Sequence, residues 1–130
     1  MRYAILIYEP EQSFDDRSRP DDDSFWGAWR AYRRALDEAG VYVGGSPLDR
    51  PDTTATTIRV RGGERNVQDG PYADTKEQLG GFMIVDVPTL DAAIDWAGRC
   101  PAASYGVVEV RPVADLTRIF GPDASFPPRE

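Results

Sequence analysis

The run from Tyr3 to Tyr8 is apolar on both of its alternating sets, Tyr3, Ile5 and Ile7 on one side and Ala4, Leu6 and Tyr8 on the other. A strand with this pattern needs both faces covered. Helices of a small open sheet cover only one face, so the second set calls for another sheet, a partner's included. Phe82 to Val87 repeats the pattern and is expected as a second buried strand.

The rest of the chain can be organised around these two strands. Glu9 to Asp23 is acidic and interrupted by Pro10 and Pro20, and reads as a long irregular connection. A helix is expected from Asp22 to Ser24 onward, with Phe25, Ala28, Trp29, Tyr32, Ala35, Leu36 and Ala39 at helical spacing and Gly40 as its stop. Trp26, Trp29 and Tyr32 read as core, and Arg30, Arg33 and Arg34 as its solvated side. Val41 to Gly45 is a strand broken by glycines, and Pro47 to Asp52 a loop. Thr54 to Arg61 alternates and returns through Gly62-Gly63 along Arg65 to Val67, a hairpin. Leu90 to Arg99 is helical, Val107 to Val113 is the last core strand, and a helical turn follows Asp115. The order is that of an α+β, ferredoxin-like split βαβ with an added hairpin strand, both helices on one face. The boundaries are one domain over 1–120 and a C-terminal tail over 121–130, consistent with a length of 130 residues.

Composition removes whole classes of chemistry. The chain has no histidine, so Ser-His-Asp and Cys-His machinery, His-ligated metals and an imidazole base are excluded. The single cysteine, Cys100, excludes an internal disulfide and reads as a small buried hydrophobe. A formal charge of −7 opposes binding to nucleic acid or an anionic membrane surface. Tyr3 to Tyr8 is too short for a membrane span or a signal segment, so a cytoplasmic location is expected. Gly62-Gly63 and Gly80-Gly81 are not phosphate loops, and no carboxylate spacing matches a known cation loop. No cofactor and no metal are expected.

What remains is carboxylate, lysine, arginine and tyrosine chemistry, concentrated in Asp69-Gly70-Pro71-Tyr72-Ala73-Asp74-Thr75-Lys76-Glu77. Gly70-Pro71 forces a bend that the Asp69 side chain can close. Beyond it the chain is expected to be extended, with Asp74 and Lys76 on one side and Glu77 on the other. Asp69, Asp74 and Glu77 are the acid/base candidates. Arg111, which shares a strand face with Val107 and Glu109, and Lys76 are the anion anchors, and Tyr72 and Tyr8 complete the substrate-binding set. The plainer alternative is that Asp69 only closes the turn, Glu77 only pairs with Arg111 or Arg59, and Asp74 only caps a bend at Thr75.

This nine-residue segment resembles the DGPF signature of the YCII-related family, with Tyr72 for the usual Phe and Asp74 for the usual Glu. Leu79-Gly80-Gly81-Phe82, Trp96-Ala97, Arg99-Cys100-Pro101 and Val108 to Pro112 carry the resemblance further. It implies a dimeric α+β barrel, hence a homodimer with two sheets packed face to face. Relatives with a proposed His-Asp pair would use a group this chain lacks. The resemblance is compatible with cofactor-free proton transfer, elimination or tautomerisation on a small organic molecule, anionic or aromatic, held in a pocket within the domain or dimer. The alternative is a non-catalytic ligand-sensing or accessory protein linked to sigma-factor regulation.

Overall fold

The computed structural model describes residues 1–17, 19 and 23–124. Four strands form one antiparallel sheet: β1 (Arg2–Pro10), β2 (Tyr42–Pro47), β5 (Glu77–Asp86) and β6 (Val107–Pro112), in the order β2-β5-β1-β6. This is the ferredoxin-like strand order, with α2 (Asp23–Glu38) and α4 (Leu90–Arg99) on one face. The hairpin β3 (Thr56–Arg61) and β4 (Glu64–Asp69) stands as a separate two-stranded sheet. Its turn uses Gly62 and Gly63, both at positive φ (57° and 80°), the geometry that their missing Cβ permits.

The core lies between sheet and helices. Tyr3, Ile5 and Ile7 of β1 and Met83 and Val85 of β5 bury against Tyr32 and Leu36 of α2 and Ala93 and Ala97 of α4. The Tyr32 hydroxyl donates to the Trp96 carbonyl at 2.8 Å and joins the two helices. Thr89 caps α4 by accepting from the Ala92 amide at 3.1 Å, and Asp115 caps α5 (Leu116–Phe120) in the same way.

Three local expectations are corrected. The stretch after Pro10 is not all irregular: Glu11–Arg17 forms α1, with Glu11 in its first turn, Arg17 in its last, and Ser13 and Phe14 buried. Pro10 ends the strand, and burial of the Phe14 ring holds the helix onto the sheet. The expected break at Pro20 and the tail beyond 124 lie outside the described residues. Secondly, Pro51–Thr54 makes a short helix, α3, with Pro at its start, across the end of the expected loop at Asp52 and the start of the expected strand at Thr54. Thirdly, β5 begins at Glu77 rather than Phe82, because Gly80 and Gly81 are part of the strand. The pairing with β1 slips between Ile7 (opposite Gly81) and Tyr8 (opposite Leu79), leaving Gly80 as the extra residue of a β-bulge.

The sheet face away from the helices is uncovered in the single chain. Cross-strand pairing puts Tyr8 with Leu79 and Val107, Leu6 with Phe82 and Glu109, and Ala4 with Ile84 and Arg111, all on that face. Leu79, Phe82 and Val107 are exposed there.

Candidate functional site

The candidate site grows from the bulge. Residues 3, 5, 7 and 9 of β1 point toward the helices, so Glu9 arrives at the end of a buried row with 1% of its surface exposed. Its Oε1 accepts from the Tyr105 hydroxyl at 2.8 Å, and that hydroxyl in turn accepts from the Trp29 indole N–H at 3.1 Å. Its Oε2 lies over Gly80, where an ideal Cβ would fall inside contact distance of that oxygen. The bulged glycine is therefore what makes room for the carboxylate.

Arg17, the last residue of α1, faces the same carboxylate, with Nη1 at 3.4 Å from Oε2. The pair is within ion-pair range but not in hydrogen-bond geometry. Glu9 Oε2 is the one buried side-chain polar atom among the described residues with no hydrogen-bond partner. The Arg17 fork is spent elsewhere, Nη1 on the Gly80 carbonyl at 3.1 Å and Nη2 on the Leu48 carbonyl. Its guanidinium also stacks on Phe14, 4.4 Å from the ring centre.

A cavity of about 250 Å³ opens between α2 and the β2–β5 side of the sheet. Glu9, Arg17 and Ile7 form its inner end, Phe25, Trp26 and Trp29 its α2 wall, and residues 45–47 and 80–83 its floor. Trp26 and Trp29, expected as core, are only half-buried and line this space, while Tyr32 alone of the three is fully buried. The Arg30 and Arg33 guanidiniums at the rim are paired with Asp23 and Asp37.

Burial, and secondarily the Glu9 charge, hold the Tyr105 hydroxyl well above the usual phenol range, so it serves Glu9 as a donor. Burial pushes the Cys100 thiol up to about 11, which keeps it protonated and unreactive at neutral pH. Tyr32 is raised by burial as well. For such phenols the fold favours the protonated form. Their contribution to stability is complete below the free value of 10.0 and is lost as pH rises through the higher folded value. A near-ultraviolet titration should show Tyr32 and Tyr105 ionising last of the six tyrosines, together with alkaline unfolding. In Tyr105→Phe one of these late ionisations should disappear. If all six ionised together in folded protein, burial of these hydroxyls would be refuted.

None of the seven residues predicted from sequence lines this cavity. Asp69 is exposed at the end of β4, opposite Thr56. Backbone and Thr57 hold its turn instead: the Gly70 amide donates to the Ala55 carbonyl and the Thr57 hydroxyl to the Gly70 carbonyl, each at 2.8 Å. Gly70 sits at φ 102°, which suits glycine. Tyr72 is 77% exposed, with the Arg59 guanidinium 5.6 Å from its ring centre. Asp74 and Lys76 are exposed on a coil rather than an extended strand. The Gln78 amide clamps that coil, donating to the Ala73 and Thr75 carbonyls at 2.8 and 2.7 Å. Glu77 opens β5 opposite Pro10, on the uncovered face that also carries Tyr8 and Arg111. There the Tyr8 hydroxyl donates to Glu109 at 3.3 Å, and burial followed by Glu109 raises its pKa, against a smaller opposing effect of Arg111. Tyr8, Glu77 and Arg111 are thus brought to one face, and Asp69, Tyr72, Asp74 and Lys76 are not placed with them.

Among the described residues no group of three or more Cys, Asp or Glu side chains is gathered to hold a metal ion, and no helix is long and apolar enough to cross a membrane.

The YCII-related domain model matches residues 1–117. The chain belongs to the YCII-related family. A relative within it, an uncharacterized protein of Rhizobium meliloti (strain 1021), is 41% identical over 118 residues, covering 88% of this chain and 93% of that one. Among solved structures the fold is similar to 5-chloro-2-hydroxyhydroquinone dehydrochlorinase (TftG) from Burkholderia phenoliruptrix AC1100, in complex with 2,5-dihydroxybenzoquinone. The TM-score is 0.50 at 19% identity, covering 88% of this chain and 94% of that one. At that identity the likeness concerns the fold alone, an antiparallel sheet with helices packed on it. The YCII-related chain described here reaches that architecture with no histidine.

Proposed function

We propose that this YCII-related protein binds a small organic molecule in the cavity beneath α2, with Glu9 as the group that receives the ligand's hydrogen bond or proton. The observation that carries the reading is Glu9 Oε2, which faces Arg17 yet accepts no hydrogen bond, buried at the end of a mostly aromatic and aliphatic space. A buried acceptor without a donor costs about 1–3 kcal/mol, more when charged, and a ligand that brings the donor recovers it. Such orphan groups concentrate where function requires them. If chemistry follows binding, it is cofactor-free, with Glu9 as base and the Tyr105 hydroxyl steadying its other oxygen. That suits proton abstraction, tautomerisation or elimination. The fold neighbour's dehydrochlorination is an elimination, a class that a single base can drive. A ligand sensor would use the same cavity without turnover.

Thermal-shift measurements against small aromatic and carboxylic compounds test this. A binder should raise the midpoint of the wild type and of Asp69→Asn equally and that of Glu9→Gln by clearly less. A shift lost in Asp69→Asn and kept in Glu9→Gln would return the site to the bend at residues 69–77.

The uncovered sheet face supports a second copy of the chain as partner. It is apolar at its centre, with Ala4, Leu6, Leu79, Phe82 and Ile84, and the hairpin adds Ile58 and Val67 paired across its strands at 61% and 54% exposure. A two-stranded hairpin exposed on both faces is marginal alone. A homodimer closing sheet on sheet would bury the Tyr8, Glu77, Glu109 and Arg111 set between subunits.

A further inference from the structure

We infer that the cavity beneath α2 selects a neutral, single-ring hydroxyaromatic molecule and discriminates against charged analogues of the same size. The inference rests on the reading of the cavity as a ligand site and adds the ligand's charge state and shape. Both notable donors of the walls are already engaged: Trp26 N–H on the Arg17 carbonyl at 3.1 Å, and Trp29 N–H on Tyr105. All three arginines are engaged as well. Arg17 holds two carbonyls beside Glu9, Arg30 holds Asp23, and Arg33 holds Asp37 at 3.1 Å with its guanidinium 3.5 Å from the Tyr42 ring centre. An anionic ligand would find no free cation and would meet the Glu9 carboxylate. A cationic ligand would meet the Arg17 guanidinium, 3.4 Å from that same carboxylate.

A neutral molecule with one O–H donor is repelled by neither charge and supplies the single missing hydrogen bond, to Oε2. The volume sets the size. A dry cavity of about 150 Å³ takes benzene, so about 250 Å³ accommodates one ring with small substituents. Phe25, Trp26 and Trp29 offer flat apolar surface for that ring.

The test is a tryptophan-fluorescence titration of the full chain, wild type and Glu9→Gln, with phenol, anisole, benzoate, benzylammonium and toluene. Phenol should bind the wild type about tenfold more tightly than anisole or toluene, the worth of one hydrogen bond to a charged acceptor. It should bind more tightly than either ion, and its advantage over anisole should shrink to about twofold in Glu9→Gln, whose amide accepts without charge. Benzoate or benzylammonium binding as tightly as phenol, with the signal lost in Pro47→Phe, at a position that pairs with Gly81 on the cavity side of the sheet, would overturn the neutral-ligand inference and leave the cavity reading intact. No response to any of the five, or a response unchanged in Pro47→Phe, would overturn the cavity reading itself.

Discussion

Arg17→Met is expected to destabilise the protein by about 3–5 kcal/mol, the usual result of stripping one partner from a buried ion pair. Glu9 has 1% of its surface exposed and the Arg17 side chain only 11%, so neither charge has water to fall back on. Methionine keeps the apolar stem while removing the guanidinium, and with it the stacking on Phe14. The Gly80 and Leu48 carbonyls lose their side-chain donor in the same step. Arg17→Lys should recover little, because one ammonium cannot reach two carbonyls and a carboxylate at once. The decisive comparison is Arg17→Met combined with Glu9→Gln. If the loss is electrostatic, the neutral amide should return about 1–3 kcal/mol relative to the single variant in denaturant unfolding. Additive losses would show that Arg17 only tethers α1 to the sheet.

How far this pair could be foreseen depends on what pattern each residue leaves in the chain. The four core strands and both long helices follow from period-two and helical spacing, and the uncovered face from the second apolar set of β1. Gly62-Gly63 announced its turn directly, and the helical turn after Asp115 is legible in the spacing of Leu116, Ile119 and Phe120. The site did not announce itself, because Glu9 comes at the polar end of an apolar strand, next to Pro10, where an acid normally marks the beginning of a loop. Only its odd-numbered parity with Tyr3, Ile5 and Ile7 could have flagged it as inward-facing. Arg17 was hidden for the same reason: the segment carrying it looked irregular, while burial of Phe14 makes it a helix. Tyr105 lies 96 residues from its partner, and no local pattern links the two. The conspicuous acids at 69–77 stood out because they are clustered, and clustering of charge is most common where water can reach it. Asp69 and Asp74 are exposed accordingly.

Gly80 carries the second large effect. Gly80→Ala should cost about 1–3 kcal/mol through overpacking, although the backbone there is not in a glycine-only conformation. The added methyl would overlap Glu9 Oε2 and would lie 3.2 Å from both Glu9 Cδ and Phe14 Cζ. A flexible exposed glutamate could swing aside, but this one is held by Tyr105 on one oxygen and faced by Arg17 on the other, so either the carboxylate leaves its hydrogen bond or α1 lifts with Phe14. The two responses are separable. Displacement of the carboxylate should release the Tyr105 hydroxyl, lower the pH of its ionisation, and abolish ligand-induced stabilisation with α1 still in place. Lifting of α1 should instead increase amide hydrogen exchange across Glu11–Arg17 while Tyr105 still ionises late. Combining Gly80→Ala with Glu9→Ala removes the overlapping atoms, so most of the glycine penalty should disappear in that background. A penalty that persists undiminished would place the strain at Phe14 and deny the bulge its role as the seat of the carboxylate.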